Sequence, residues 1–292
     1  MTTMKDLVAD TRRIAYGSMA DQLNFLAVEA TAGATTLEFT MDVTPITPGM
    51  VLSSGLNVYY VISVNANTKV VTVHTGYDNS RSEVLPVGSA VMIRPRVTDW
   101  LLFNGVNDVI RAMSSSTHGL YKEGTWTADV DPAWQTYDIP VADQGMTAFI
   151  KAQIRQPGST DVWFDLPVNS VQWQPENNLI RMTRDYQSGT EIKFFYRGGF
   201  TLAADLTDDV VADCGLAETM IDIPPLGAAV LLLRTTEARR SQIHSQSDPR
   251  RAEEVVSGSN SSAARELDRD FRARVNDEYV RLLNRNPLTQ VV

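Results

Sequence analysis

Two blocks of short β-prone segments, flanked and separated by helical stretches, set the strongest limit on this fold. In residues 33–95 the segments LEFTMDV, MVLSS, NVYYVISV, KVVTVHT and AVMIRP are rich in β-branched and aromatic side chains. ITPG, NAN, TGYDNS and PVGS punctuate them with turn chemistry. Five strands in about sixty residues predict a small barrel or half-open sandwich. The alternation of Thr72, Val73, His74 and Thr75 places His74 toward solvent.

The second block, residues 124–200, holds TWTADV, WQTYDIP, MTAFIKAQIRQ, DVWFDLP, SVQWQP, LIRMTRD and EIKFFYRG. Seven strands at regular turn spacing predict an antiparallel sandwich. Trp126, Trp134, Trp163 and Trp173 all fall here. Four tryptophans in a small sandwich read first as core and rim packing. Stacking of sugars on a β face is the alternative, with no acidic cluster or calcium-loop spacing beside it.

The rest is helical in pattern. Residues 4–19 and 98–113 carry helical periodicity; Thr98 is the expected N-cap of the second, with Asp99 complementing the helix dipole. Thr207 as N-cap, with Asp208 and Asp209 in the first turn, predicts a further helix over 208–221. Pro224 and Pro225 end it, and Pro225 opens the next, over 225–243. Residues 245–261 are rich in Ser, Gly, Pro and mixed charge, hence a linker or loop. A last helix over 262–285 carries Ala264, Leu267, Phe271, Val275, Tyr279 and Leu282 as a narrow apolar stripe suited to one neighbouring helix. The uncharged tail NPLTQVV follows.

The expected architecture is therefore α+β. Residues 1–20, 97–120 and 201–292 form a discontinuous helical core, with a barrel-like module at 21–96 and a sandwich at 121–200 inserted into it. At 43% hydrophobic residues, the 292-residue chain can fill the cores of two or three such domains. The helix over 98–113 is too short to stand alone and is expected to pack on 208–221 and 225–243, with both β modules projecting.

Function classes fall away by composition. Residues 226–233 give eight residues of apolar helix, where a membrane span needs about 20. The N-terminus has acidic residues and no apolar h-region, so no signal peptide is expected. One cysteine, Cys214, excludes an internal disulfide and fits a reducing cytosol. Net charge is −9, which speaks against general nucleic-acid affinity. Residues 234–285 hold eleven arginines, no lysine and nine acids, a local +2 that leaves −11 on the remainder. Arginine without lysine suits bidentate pairing across interfaces better than diffuse phosphate attraction.

No catalytic, metal or cofactor site is expected. P-loop, G-x-G-x-x-G, G-x-S-x-G and H-E-x-x-H motifs are missing, and His74, His118 and His244 lie in separate segments. Asp208, Asp209 and Asp213 are a conceivable metal set, but Asp208 and Asp209 read better as helix N-terminal charges, and Cys214 reads as a small buried hydrophobe.

The segment PPLGAAVLLLRTTEARR (224–240) resembles the central helix of head-to-tail adaptor (connector) proteins of tailed bacteriophages, in which one or two prolines start an Ala/Leu-rich helix that ends in a Glu/Arg group. The preceding ADCGLAETMIDIPP resembles that family's approach to the helix. GMVLSSGLNVYYVISVNANTKVVTVHTGY is similar to a second phage β pattern; Gly76-Tyr77 and Pro86-Val87-Gly88 stand where that pattern has Arg-Gly and His-x-x-Gly.

The resemblance implies a virion structural protein of the neck, assembled in the host cytoplasm as a ring, usually of twelve copies. It would join the portal to a downstream neck or tail protein and let DNA pass without specific binding. It implies no enzyme, no cofactor and no membrane. Arg234, Arg239, Arg240, Arg250 and Arg251, with Leu267, Phe271, Val275 and Tyr279, are then the expected subunit or portal interface. The linker before the last helix, about 20–25 Å in root-mean-square span, would give it reach. A minor tail, tail-end or baseplate protein, and a carbohydrate-binding protein using the Trp-rich sandwich, are the alternatives.

Overall fold

Strands form where the turn residues and β-branched runs fall, and the first block closes on itself. The computed structural model describes residues 1–17, 21–115, 117–130, 136–139, 146–156, 158, 162–177, 179–184, 186, 188–246 and 259–285. β1 (Gln22–Phe25), β2 (Thr36–Glu38), β3 (Val51–Ser54), β4 (Asn57–Asn65), β5 (Val70–Thr75) and β6 (Ala90–Ile93) make one antiparallel sheet in the order β1-β6-β3-β4-β5-β2. Its two outer strands meet at a Leu26–Phe39 bridge, where Ala27 N donates to Glu38 O and Thr40 N to Phe25 O, both at 2.8 Å. This removes the free edges that an open sheet would present. Leu37, Phe39, Leu52, Val61, Val71 and Val91 fill the interior, and His74 faces solvent as the alternation predicts. The sequence pattern missed β1, a four-residue strand in which Asn24 is buried while Leu23 and Phe25 are exposed, the reverse of the usual alternation.

The chain divides into two compact units: Met1–Val109, Leu202–Cys214 and Met220–Arg272 in the first, and Ile110–Thr201, Gly215–Thr219 and Ala273–Val292 in the second. The barrel belongs to the first and does not project free of the helices there. Arg81 holds it: the guanidinium pairs with Asp205 at 3.3 Å, donates to Ala204 O and stands 5.7 Å from the centre of the Phe103 ring.

In the same unit α1 (Met4–Tyr16) buries Met4, Leu7, Val8 and Thr11. Two first-turn N–H groups, which a helix cannot satisfy internally, donate elsewhere: Met4 N to Asp208 O and Lys5 N to Leu206 O, each at 2.9 Å. α1 packs on α3 (Ile223–Gln246), and α3 on α2 (Asp99–Met113), where Gly105 lies against Ala228 and Gly227 against Val109. Thr98 caps α2 as expected, its Oγ1 accepting from Leu101 N at 3.3 Å.

The helix predicted over 208–221 does not form. Asp208 Oδ2 accepts from Ala204 N and Asp205 N at 2.6 and 2.8 Å, Asp209 Oδ1 from Val211 N at 2.9 Å, and Asp213 Oδ2 from Asp209 N at 2.8 Å. Aspartate side chains thus take the backbone donors that a helix would need, and turns replace it up to a 3-10 turn at Glu218–Met220. Cys214 is buried, as a small hydrophobe would be.

The second unit contains seven strands among its described residues, in two antiparallel sheets. β7 (Lys122–Asp129), β9 (Met146–Arg155), β10 (Phe164–Asp165) and β13 (Glu191–Gly198) pair in the order β10-β9-β13-β7. β8 (Thr136–Asp138), β11 (Val171–Gln174) and β12 (Leu179–Met182) pair in the order β11-β12-β8. Ile180, Met182, Ile192, Phe194 and Tyr196 share one core, and Trp126 stacks on Phe194 with ring centres 4.9 Å apart. α4 (Ser259–Arg285) is the last helix among the described residues and begins three residues before the predicted start. Both ends of the linker predicted over 245–261 are helical, α3 running on through Gln246 and α4 starting at Ser259; residues 247–258 lie outside the described set. The fold is α+β.

Candidate functional site

α3 is apolar first and cationic afterwards, and the change falls within one turn. Ala228, Ala229, Val230, Leu232 and Leu233 are buried, while Leu231 and Arg234 are exposed. The Thr235 and Thr236 hydroxyls both donate back to Leu232 O, at 2.9 and 2.8 Å. Arg234 reaches Asp268 of α4 at 3.1 Å, and the same carboxylate oxygen takes Arg272 at 3.0 Å. One acid thus sits between two guanidiniums. Both arginines are more than half exposed, so each pair adds only about 0–1 kcal/mol. Arg239 and Arg240 lie on α3, with their side chains outside the described set; Arg250 and Arg251 lie outside the described residues altogether.

The α4 stripe has the predicted period, but the chain's own fold takes up much of it. Phe271 and Val275 are buried and Leu267 and Tyr279 half-buried. In the first unit the Phe271 ring fits against Gly227 of α3. In the second, the Tyr279 ring lies on Gly119, and Tyr121 Oη donates to Leu282 O at 3.4 Å. Phe271 and Val275 are therefore not an open partner surface in this chain: the neighbour predicted by a narrow stripe is intramolecular.

A polar node that sequence reasoning missed fastens the end of α4. Glu278 is only 2% exposed. Its Oε1 accepts from Thr219 Oγ1 and from Arg281 Nε, both at 2.8 Å, and Arg281 also donates to Thr219 Oγ1 at 2.6 Å. Arg274 donates to Thr219 O at 3.0 Å, and Arg285 pairs with Glu123 of β7 at 3.2 Å. An acid at an apolar-stripe position, three residues after Val275, was the available signal. Several arginines of the cationic segment are thus paired within the chain.

The outer face of the four-stranded sheet gathers the remaining chemistry. On β13, Lys193, Phe195 and Arg197 point away from the core formed by Ile192, Phe194 and Tyr196. Phe195 lies under Lys151 Nζ at 5.2 Å and Lys193 Nζ at 5.4 Å; Trp163 lies under Arg155 at 5.1 Å and Lys193 at 5.9 Å. Lys151 pairs with Asp165 at 3.3 Å, and Arg155 with Glu191. Hydrogen bonds from Gln153 and then Lys151 hold the Asp165 carboxyl below the usual carboxylate range. The four tryptophans separate: Trp126 and Trp173 pack on the core, Trp163 stands on this face, and Trp134 lies outside the described residues.

Among the described residues no group of three His, Cys, Asp or Glu could hold a metal ion, and no helix is long and apolar enough to cross a membrane. No protein-family model matches the sequence, and no curated protein matches it.

Proposed function

We propose that the chain is a virion structural protein, a head-to-tail connector that forms a ring between portal and tail and lets DNA pass. The observation supporting this reading is the discontinuous helical core. α1, α2 and α3 come from three separated stretches of chain and pack together, and the β modules occupy the intervals between them. Such a chain devotes its helices to a scaffold. It agrees with the resemblance of residues 224–240 to the central connector helix. A net charge of −9 suits a lumen through which DNA must slide without being held.

On this reading Arg239 and Arg240, with Arg250 and Arg251, meet carboxylates of a neighbouring copy or of the portal. Losing one such pair in a buried interface costs about 2–5 kcal/mol, much of it from the acid left behind. The test is the mass of the purified protein in solution, with imaging of the particles and co-sedimentation with portal. A closed ring that binds portal is expected. Arg239→Ala with Arg240→Ala should abolish assembly at an unchanged melting temperature, and lysine at both positions should rescue only part, since an ammonium lacks the bidentate fork. A chain that stays monomeric with portal present, or a double alanine variant that assembles normally, overturns the reading.

A further inference from the structure

We infer that the outer face of the β10-β9-β13-β7 sheet binds a neutral, extended oligosaccharide, with Trp163 and Phe195 as its stacking rings. This stands apart from the connector reading and depends only on the face itself.

A sheet with one covered side carries polar residues on the other. Here that side carries two half-exposed aromatic rings, joined through Lys193, which stands over both. The simplest alternative is a ladder of cation–ring contacts that only stabilises the sheet. The carboxylates argue for more. Asp165 and Glu191 each engage one of the flanking cations, and each carboxylate has lone pairs beyond those contacts.

Charge then decides the ligand. The cations Lys151, Arg155, Lys193 and Arg197, with Arg285 reaching Glu123 from α4, share the face with Glu123, Asp129, Asp165 and Glu191; five against four is close to balance. A polyanion needs a clear positive excess, because its affinity comes from neutralised phosphates or sulfates. A balanced face of donors and acceptors around two rings instead matches an uncharged molecule with C–H faces and hydroxyl edges. A pyranose has both: its C–H face lies on an aromatic ring, and its hydroxyls reach carboxylate, amide and ammonium groups at the rim. Gln153, whose Nε2 donates to Asp165 at 2.8 Å, adds an amide to that rim. Two rings imply at least two sugar units, hence a chain rather than a single sugar. The Lys151 and Lys193 tips, with the Arg155 guanidinium over Trp163, are the movable cover, each on a long flexible stem.

The test uses the full chain with chitohexaose, maltohexaose and cellohexaose in calorimetric titrations, and with heparin and oligo-dT as polyanion probes. Saturable binding of a neutral oligosaccharide is expected, unchanged from low to high salt. Trp163→Ala and Phe195→Ala should each weaken it by roughly tenfold or more, as loss of a central aromatic anchor does. Asp165→Asn should weaken it without loss of melting temperature. Trp163→Phe, which keeps a smaller ring, should retain part of the affinity and covers the case of an alanine variant that does not fold. No binding of any of the three sugars, binding of heparin or oligo-dT alone, or ring variants that bind as wild type would each overturn the proposal.

Discussion

The ring of Tyr196 in β13 covers Gly124, its cross-strand partner in β7, so closely that a methyl group on Gly124 would overlap it. Replacing glycine by alanine in a strand normally gains about 0.5–1 kcal/mol through chain entropy. Here overpacking outweighs that gain, at about 1–3 kcal/mol. Gly124→Ala should therefore lower stability in urea titrations, and Tyr196→Ala should cost less in the Gly124→Ala chain than in wild type. Additive effects of the two changes would show that ring and glycine are not coupled.

The same contest of magnitudes decides Gly227 in α3. Alanine is about 1 kcal/mol better than glycine in a helix interior. A methyl group at Gly227, however, would stand 2.7 Å from Val109 Cγ1 and 2.9 Å from Phe271 Cε2. Gly227→Ala should lower the denaturation midpoint, and adding Val109→Ala should bring it back toward wild type. A midpoint raised by Gly227→Ala alone would mean that α2 and α4 yield at this crossing.

Two aspartates near α1 should respond to pH with opposite sign. Burial raises the pKa of Asp99, and the neighbouring Arg12 guanidinium, 2.7 Å away, only partly offsets this. The folded chain holds that proton more tightly than the unfolded one. Its stabilising contribution is complete below the ordinary value of 3.8 and is lost as pH rises through the raised pKa. Asp6 is the reverse: hydrogen bonds from Thr3 N and Thr3 Oγ1 lower its pKa, so its contribution is present above 3.8 and lost as pH falls. The stability of wild type minus Asp99→Asn should thus decline from acid to neutral pH, and that of wild type minus Asp6→Asn should climb and level off. Urea midpoints measured across that range are the check.

Removing the last helix should damage the chain itself. Phe271→Ala is expected to cost about 3–5 kcal/mol as a buried aromatic truncation. Glu278→Ala should cost about 0.5–1.5 kcal/mol, the net worth of its hydrogen bonds, since the exposed Thr219 and Arg281 donors can turn to water. Truncation after Val256 removes both contributions, so a large fall in melting temperature is expected. A truncated chain that melts like the full one would return the α4 stripe to the role of a partner surface.

What could be read in advance followed the strength of local periodicity. The strands of the second unit sit in long alternating runs such as EIKFFYRG, where register and face are set by neighbours along the chain. The 208–221 segment misled because Thr207-Asp208-Asp209 is a good helix start, and the same aspartates cap turns when a distant α1 supplies donors to the carbonyls of Leu206 and Asp208. Periodicity in α4 gave the stripe but not its partner, because Gly227 and Gly119 mark a docking place only once the fold brings them to Phe271 and Tyr279. Phe195 on β13 and Trp163, just before β10, are far apart in sequence, so their shared cover by Lys193 was not legible.

The Thr3–Asp209 bridge has a consequence for the order of events on the ribosome. The barrel closes through contacts confined to residues 22–93, so it can take shape while the rest is still being synthesised. α1 cannot: its first-turn amides and its Met4, Leu7 and Val8 face wait for segments made some two hundred residues later. At about 5–20 residues per second that wait is roughly 10–40 s. Throughout it an amphipathic helix hangs beside a finished barrel with nothing to cover it. The nascent chain is thus most open to chaperone capture, or to clasping a sister chain on the same message, before residue 209 emerges.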